Sequence, residues 1–272
     1  MTFLLIPIGS HGDVHPFVGI GIRLRRRGHR VKVIANPHFE SLVRGAGLEF
    51  IPISTDAEYR EMAGDPRLWH RTKGPPLVFK ALSELIRKSY HAIAENIDEG
   101  QTVLVGSSLA LGARVAQDKF GLPAVTVHLQ PLCFRSNHDS PKFAAMLLGR
   151  RVPRWLVDFQ WWVVDRVILD RLAGPALNDF RAELGLPSVK RIARDYWNSP
   201  QRVIGLFPDW YAPPQPDWPA QARLTGFPLY DERGVTALSP ELQKSLDAGD
   251  PPIAFTFGSA MWHAQQILRT SV

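Results

Sequence analysis

Thr2-Phe3-Leu4-Leu5-Ile6-Pro7-Ile8-Gly9-Ser10-His11-Gly12-Asp13-Val14-His15-Pro16 runs from an apolar strand through a glycine loop into a helix that ends at Gly28. Open α/β sheets place ligands in such turns, beyond the carboxyl ends of their strands. This one carries a carboxylate and two imidazoles, so it is the first place to look for chemistry. The rhythm then repeats, with a helix over 16–27, a strand over 31–35, a helix over 37–44 and a strand over 49–53. Pro16 suits a first helical turn, and Gly28, Gly45 and Gly47 suit helix ends. Right-handed crossovers then build a parallel sheet.

Further along, the pattern predicts a long helix over 77–97, a strand over 102–106, a helix over 109–119 and a strand over 124–128. The stretch 129–198 reads as mainly helical but broken by prolines, and 202–207 as another buried strand. Prolines and glycines multiply over 208–252, an irregular segment. A new cycle opens with a strand at 252–257, the loop Gly258-Ser259-Ala260 and a helix from Trp262. The expected fold is α/β, a Rossmann-like parallel sheet with helices on both faces, followed by the first βα unit of a second domain cut off after it opens. The expected boundaries are a domain over 1–229, a linker over 230–251 and the start of the second domain over 252–272.

The chain has 272 residues, 45% of them hydrophobic, which is enough for one large core. Its single cysteine, Cys133, forms no internal disulfide and no zinc knuckle, so a reducing cytoplasmic setting is expected. The apolar start lacks a basic n-region, and no stretch approaches the roughly 20 apolar residues of a membrane span. The net charge of +6 includes a cluster at Arg23, Arg25, Arg26, Arg27 and Arg30. Cations at a helix C-terminus complement the macrodipole, and no zinc-finger or RNP-like pattern points to nucleic acid.

The glycine loop lacks the third glycine of a dinucleotide fingerprint, and the second strand ends in Ala35-Asn36 rather than an acid, which disfavours NAD. Val14-His15-Pro16 stands where a P-loop needs Gly-Lys-Ser/Thr, which disfavours ATP hydrolysis. His11, Asp13 and His15 would present three ligands to a metal if the loop were extended, leaving a metal-dependent hydrolase as a competing reading. Asp13 is also a candidate helix N-cap. A helix N-terminus favours an anion, so Asp13 is expected to stay ionised and ready to accept a proton.

The loop residues 9–16, followed by Gly28-His29-Arg30-Val31, resemble the opening of nucleotide-sugar glycosyltransferases with the two-domain GT-B fold. Gly64-Asp65-Pro66-Arg67-Leu68-Trp69, Val105-Gly106-Ser107 with Ala110-Leu111-Gly112-Ala113-Arg114, and Phe207-Pro208 through Thr225-Gly226-Phe227-Pro228-Leu229 are similar to the rhamnosyltransferases of rhamnolipid synthesis within that family. The resemblance implies that this half holds the acceptor and the following domain the nucleotide-sugar, a co-substrate, with no further cofactor and no metal. It implies Asp13 as general base in an inverting transfer of a hexosyl or deoxyhexosyl group. Relatives with a histidine base orient it with an aspartate, where this chain has Gly106-Ser107-Ser108; a carboxylate base needs no such partner. The implied acceptor-binding residues are His11, Gly12, His15, Ser107, His128 and Gln130, with Gly258 and Ser259 approaching the donor diphosphate. His128 reads equally as a core histidine.

The stretch 155–169 reads as an amphipathic helix with Arg151, Arg154, Asp158 and Asp165 on one face and Leu156, Phe159, Val163, Val164 and Val167 on the other. Its tryptophans favour packing on their own domain, with a lipid-acceptor channel or peripheral contact at the inner membrane face as the competing use. The expected partners are therefore a nucleotide-sugar and a hydroxylated, apolar or lipid-like acceptor, with a noncatalytic acceptor-binding module as the other function for this chain.

Overall fold

A computed structural model describes residues 1–70, 73–139, 152–230, 237–253 and 269. The expectations for Arg151, Gly258, Ser259 and the βα unit beyond Ile253 lie outside the described residues. Strands β1 (Thr2–Ile6), β2 (Arg30–Ala35), β3 (Glu49–Pro52), β4 (Thr102–Ser107), β5 (Ala124–His128), β6 (Arg202–Gly205) and β7 (Ala222–Leu224) form one sheet. Their order is β3-β2-β1-β4-β5-β6-β7, and every pairing is parallel. The expected Rossmann-like sheet is therefore present.

Strand alternation makes the two cores. Leu4, Ile6, Ile34 and Leu104 face one side, where Ile86, Tyr90 and Ile93 of α4 (Gly74–Ala94) and Leu177 and Phe180 of α7 (Asp170–Glu183) cover them. Leu5, Val33, Val105 and Val127 face the other, under Phe17 and Val18 of α1 (His11–Arg26) and Val43 of α2 (Glu40–Gly45). Burial on both faces is why the strands read as apolar runs. The remaining α-helices among the described residues are α3 (Asp56–Gly64), α5 (Leu111–Phe120), α6 (Arg154–Val163) and α8 (Pro240–Asp247). Gly112 of α5 lets the helix press on α4: a Cβ there would lie 2.1 Å from Ser89 Oγ and 2.5 Å from the Ile86 carbonyl.

Four local expectations change. The first helix begins at His11 rather than Pro16, which sits inside it. Pro16 cannot donate to the carbonyl four residues back, on Gly12, but Gly12 is exposed and water can serve that acceptor. The irregular stretch after Pro208 contains β7 and α8, and α3 was not anticipated. The buried stripe of α6 is Val157 and Trp161, continued by Asp165 in the π-helical stretch Val164–Leu169, whereas Trp155, Phe159 and Trp162 are 67%, 58% and 58% exposed. The apolar and polar faces assigned from sequence are thus not the buried and exposed faces. No helix among the described residues is long and apolar enough to cross a membrane.

Candidate functional site

From β1 the chain order moves outward to β2 and β3, and then returns to the other side of β1 as β4. The ends of β1 and β4 are the topological switch point of the sheet, where open α/β sheets hold ligands. The loop Pro7–Ser10 rises from it, held to β4 by the Ile8 amide, which donates to Ser107 Oγ at 3.0 Å. Helix α1 then starts, with Ser10 as its N-cap and Asp13 in its first turn. Asp13 is therefore not the cap itself.

Asp13 folds back on the cap. The Ser10 amide donates to its Oδ2 at 2.7 Å, and the Ser10 hydroxyl donates to the same oxygen at 3.2 Å. Oδ1 takes no hydrogen bond from a described residue. One oxygen is anchored and the other keeps its acceptor capacity. Burial pushes the carboxyl above its ordinary value, and the two Ser10 hydrogen bonds pull back against it. Desolvation thus opposes the ionised form that the helix terminus was expected to favour, which brings the group nearer to the range in which a base works well.

A wall of rings stands beside the first turn of α1. The His11 ring meets Phe39, His38 and His15 edge-on at centroid distances of 5.0, 5.3 and 5.7 Å. His38 stacks on Tyr59 at 4.4 Å, and His15 meets Tyr230 at 5.9 Å. Tyr59 senses the carboxylate: burial, and then the negative charge of Asp13, raise its hydroxyl pKa. His38 is fixed by Asp56, with Nδ1 and Oδ1 3.1 Å apart, and its amide donates to Asn36 Oδ1 at 2.8 Å. His38, Tyr59 and Tyr230 were not anticipated; the turn Asn36-Pro37-His38 at the end of the second strand was the available signal for the first.

His11 and His15 are part of this wall, and Gly12 lies exposed beside them. Because the segment is helical, His15 returns to within about 40° of His11, whereas Asp13 points about 160° away from His11. That removes the extended geometry on which the metal reading depended. No group of three or more His, Cys, Asp or Glu side chains among the described residues is placed to hold a metal ion.

Two other expected contacts move into the support. Ser107 is buried and its hydroxyl is occupied by the Ile8 amide, so it braces the loop rather than lining the opening. His128 is 0% exposed and cannot touch an acceptor. Its Nδ1 is 2.7 Å from Ser108 Oγ and its Nε2 is 2.8 Å from Asn198 Oδ1, while Asn198 Nδ2 donates to the Arg194 carbonyl. That chain places the ring proton on Nε2, and burial lowers the His128 pKa to about 4. His128 is a satisfied core histidine. Gln130 is exposed at the turn after β5, and its carbonyl accepts from the Cys133 amide. Burial and the negative charge of Asp13 raise the Cys133 thiol pKa, so this turn also lies within electrostatic reach of the carboxylate.

The family model described as the glycosyltransferase family 28 N-terminal domain matches residues 3–142. An O-mycaminosyltylonolide 6-deoxyallosyltransferase of Streptomyces fradiae is 29% identical over 95% of this chain and 61% of its own length. Glycosyltransferase GtfE of Amycolatopsis orientalis is 30% identical over the same shares. The chain thus spans about three fifths of the length of these relatives. Among solved structures, the glycotransferase of kitacinnamycin superposes with a TM-score of 0.58 at 19% identity, covering 88% of this chain and 54% of that one, a likeness of fold.

Proposed function

The chain belongs to the glycosyltransferase family 28 N-terminal domain family, among the GT-B glycosyltransferases, and from that premise we propose that it is the acceptor-holding half of an inverting transferase with Asp13 as general base. The observation that carries this reading is the carboxylate at the switch point with Oδ2 anchored on Ser10 and Oδ1 taking no hydrogen bond from a described residue. In the reaction, the acceptor hydroxyl gives its proton to Oδ1 as its oxygen bonds to the anomeric carbon of a nucleotide-activated hexose or deoxyhexose. The bond from that carbon to the diphosphate breaks, and its electron pair leaves on the nucleoside diphosphate. A single displacement from the opposite face inverts the anomeric centre. An alcohol is a far weaker acid than a carboxylic acid, so proton transfer accompanies attack rather than preceding it.

The ring wall supports an apolar, hydroxylated acceptor. Imidazole and phenol rings offer flat contact area together with polar edges that can orient a hydroxyl. The Streptomyces fradiae relative is named for O-mycaminosyltylonolide and a deoxyhexosyl group, which supports this pairing of substrate classes. A lipid-like acceptor belongs to the same chemical class. Gly258 and Ser259 are assigned to the donor diphosphate on resemblance alone.

Incubation of this chain, and of a form extended past Val272 through the donor-binding domain, with nucleotide-sugars and a panel of hydroxylated macrocycles, sterols and hydroxy fatty acids tests the proposal by mass spectrometry, with transfer expected of the extended form. The expected result is one glycosyl unit added to an acceptor, with one nucleoside diphosphate released per product. Acceptor binding with no transfer, by this chain and by a form extended past Val272 alike, would replace the enzyme with a noncatalytic acceptor-binding module.

A further inference from the structure

Gly9 differs from the other turn-forming glycines in what a side chain would strike. Gly28, Gly100, Gly121, Gly185 and Gly226 share its positive φ, but a Cβ on any of them would meet nothing within 4 Å. A Cβ on Gly9, at φ +141°, would lie 2.1 Å from Asp13 Oδ2, 2.4 Å from Cγ and 2.9 Å from Cβ. Gly47 is also crowded, but by the far end of the flexible Arg25 side chain. The Asp13 carboxylate has no such freedom: leaving its place would strip Oδ2 of both Ser10 hydrogen bonds.

Resting on the reading of Asp13 as base, we propose that Gly9 is a positioning residue: the missing side chain at this position is the seat of the carboxylate, and the Ser10 amide and hydroxyl clamp Oδ2 into it so that Oδ1 alone faces the acceptor. The seat is tied to the sheet one residue earlier, where the Ile8 amide meets Ser107 of β4. The reach of the base is thereby set by the backbone that leaves β1 and by the Ser107 hydroxyl of β4 rather than by the Asp13 rotamer alone. Any L-residue at position 9 displaces the carboxylate, and a misplacement of about 1 Å at a reacting group costs on the order of 100-fold in rate.

The test is a double-mutant cycle in denaturant unfolding, combining Gly9→Ala with Asp13→Gly, which removes all three atoms in the path of the new Cβ. Backbone strain at position 9 is common to both backgrounds and cancels. The expected result is that Gly9→Ala shifts the unfolding equilibrium about 10-fold more when Asp13 is present than when it is replaced. Folding of the double variant when Gly9→Ala alone fails to fold also supports the seat. Equal effects in both backgrounds would overturn it.

If neither Gly9 variant folds, Ser10→Ala decides the matter through the NMR titration of the Asp13 carboxyl. Loss of the hydroxyl clamp should move that titration to higher pH, and an unmoved titration would overturn the proposal. Neither readout requires sugar transfer. A failed seat with an intact effect of Asp13 on turnover, and a sound seat with no such effect, are therefore distinct outcomes.

Discussion

His128 and Asp13 show how burial acts with opposite sign on an imidazole and a carboxylate. His128 is neutral in the fold to about pH 4, whereas an unfolded histidine takes up a proton near pH 6.5. The unfolded chain therefore binds more protons between these values, and stability that is complete above pH 6.5 is lost as pH falls toward 4, on the order of 3 kcal/mol. Denaturant unfolding from pH 7 to 4.5 should show this slope, and His128→Phe should flatten it while costing about 1–3 kcal/mol at pH 7 through the orphaned Ser108 and Asn198. A slope unchanged in the variant would contradict the assignment. For Asp13 the raised carboxyl means that the fold holds its proton to higher pH than the unfolded chain, so its ionisation lowers stability as pH rises above the ordinary carboxylate value. Asp13 was legible in the sequence because its loop and helix start are contiguous. His38, Tyr59 and Tyr230 were not, because the ring contacts that gather them join residues up to 215 positions apart.

At the scale of elements, the run from α6 through the π-helical stretch to α7 spans 154–183 with Asp165 facing inward. Arg135, on the segment after β5, pairs with Asp165 and lies 4.4 Å over the Trp161 ring. Burial raises the Asp165 pKa and lowers that of Arg135, and each partner works against the shift in the other. Arg135→Ala should cost about 3–5 kcal/mol in denaturant unfolding, because it leaves a buried carboxylate without its cation. Arg135→Met combined with Asp165→Leu should recover most of that loss, and a double variant no better than the single would reject the pair as the cause. Sequence polarity put Asp165 on the solvent face because a charge was read as exposed; the partner that buries it comes from a different element. The π-helical stretch also changes the phase of the stripe, since its hydrogen bonds span five residues rather than four. The strands were legible for the opposite reason, because burial on both faces writes itself as an unbroken apolar run. The three-residue β7 is too short for such a run.

At the scale of the molecule, the seven parallel strands of the described residues and the apolar layers on their two faces form the floor, and the reversal of strand order beside β1 makes the switch point at its edge. Alternation of strand and helix announced the parallel sheet, but the strand order that sets the switch point depends on pairings between distant segments and could not be read from local pattern. The floor steadies the loop: Ile8, just past β1, is tied to Ser107 of β4, and the next residues, Gly9 and Ser10, lie against the Asp13 carboxylate. The most direct measurement of that chain of support is steady-state sugar transfer by Asp13→Asn in the enzyme extended past Val272 through its donor-binding domain, beside the same unsubstituted form, with the melting temperature of each recorded at pH 7. Turnover should fall by about 100-fold or more while Tm stays level or rises, since the costly buried charge is gone. Turnover within a few-fold of the unsubstituted protein, with the fold intact, would contradict the account.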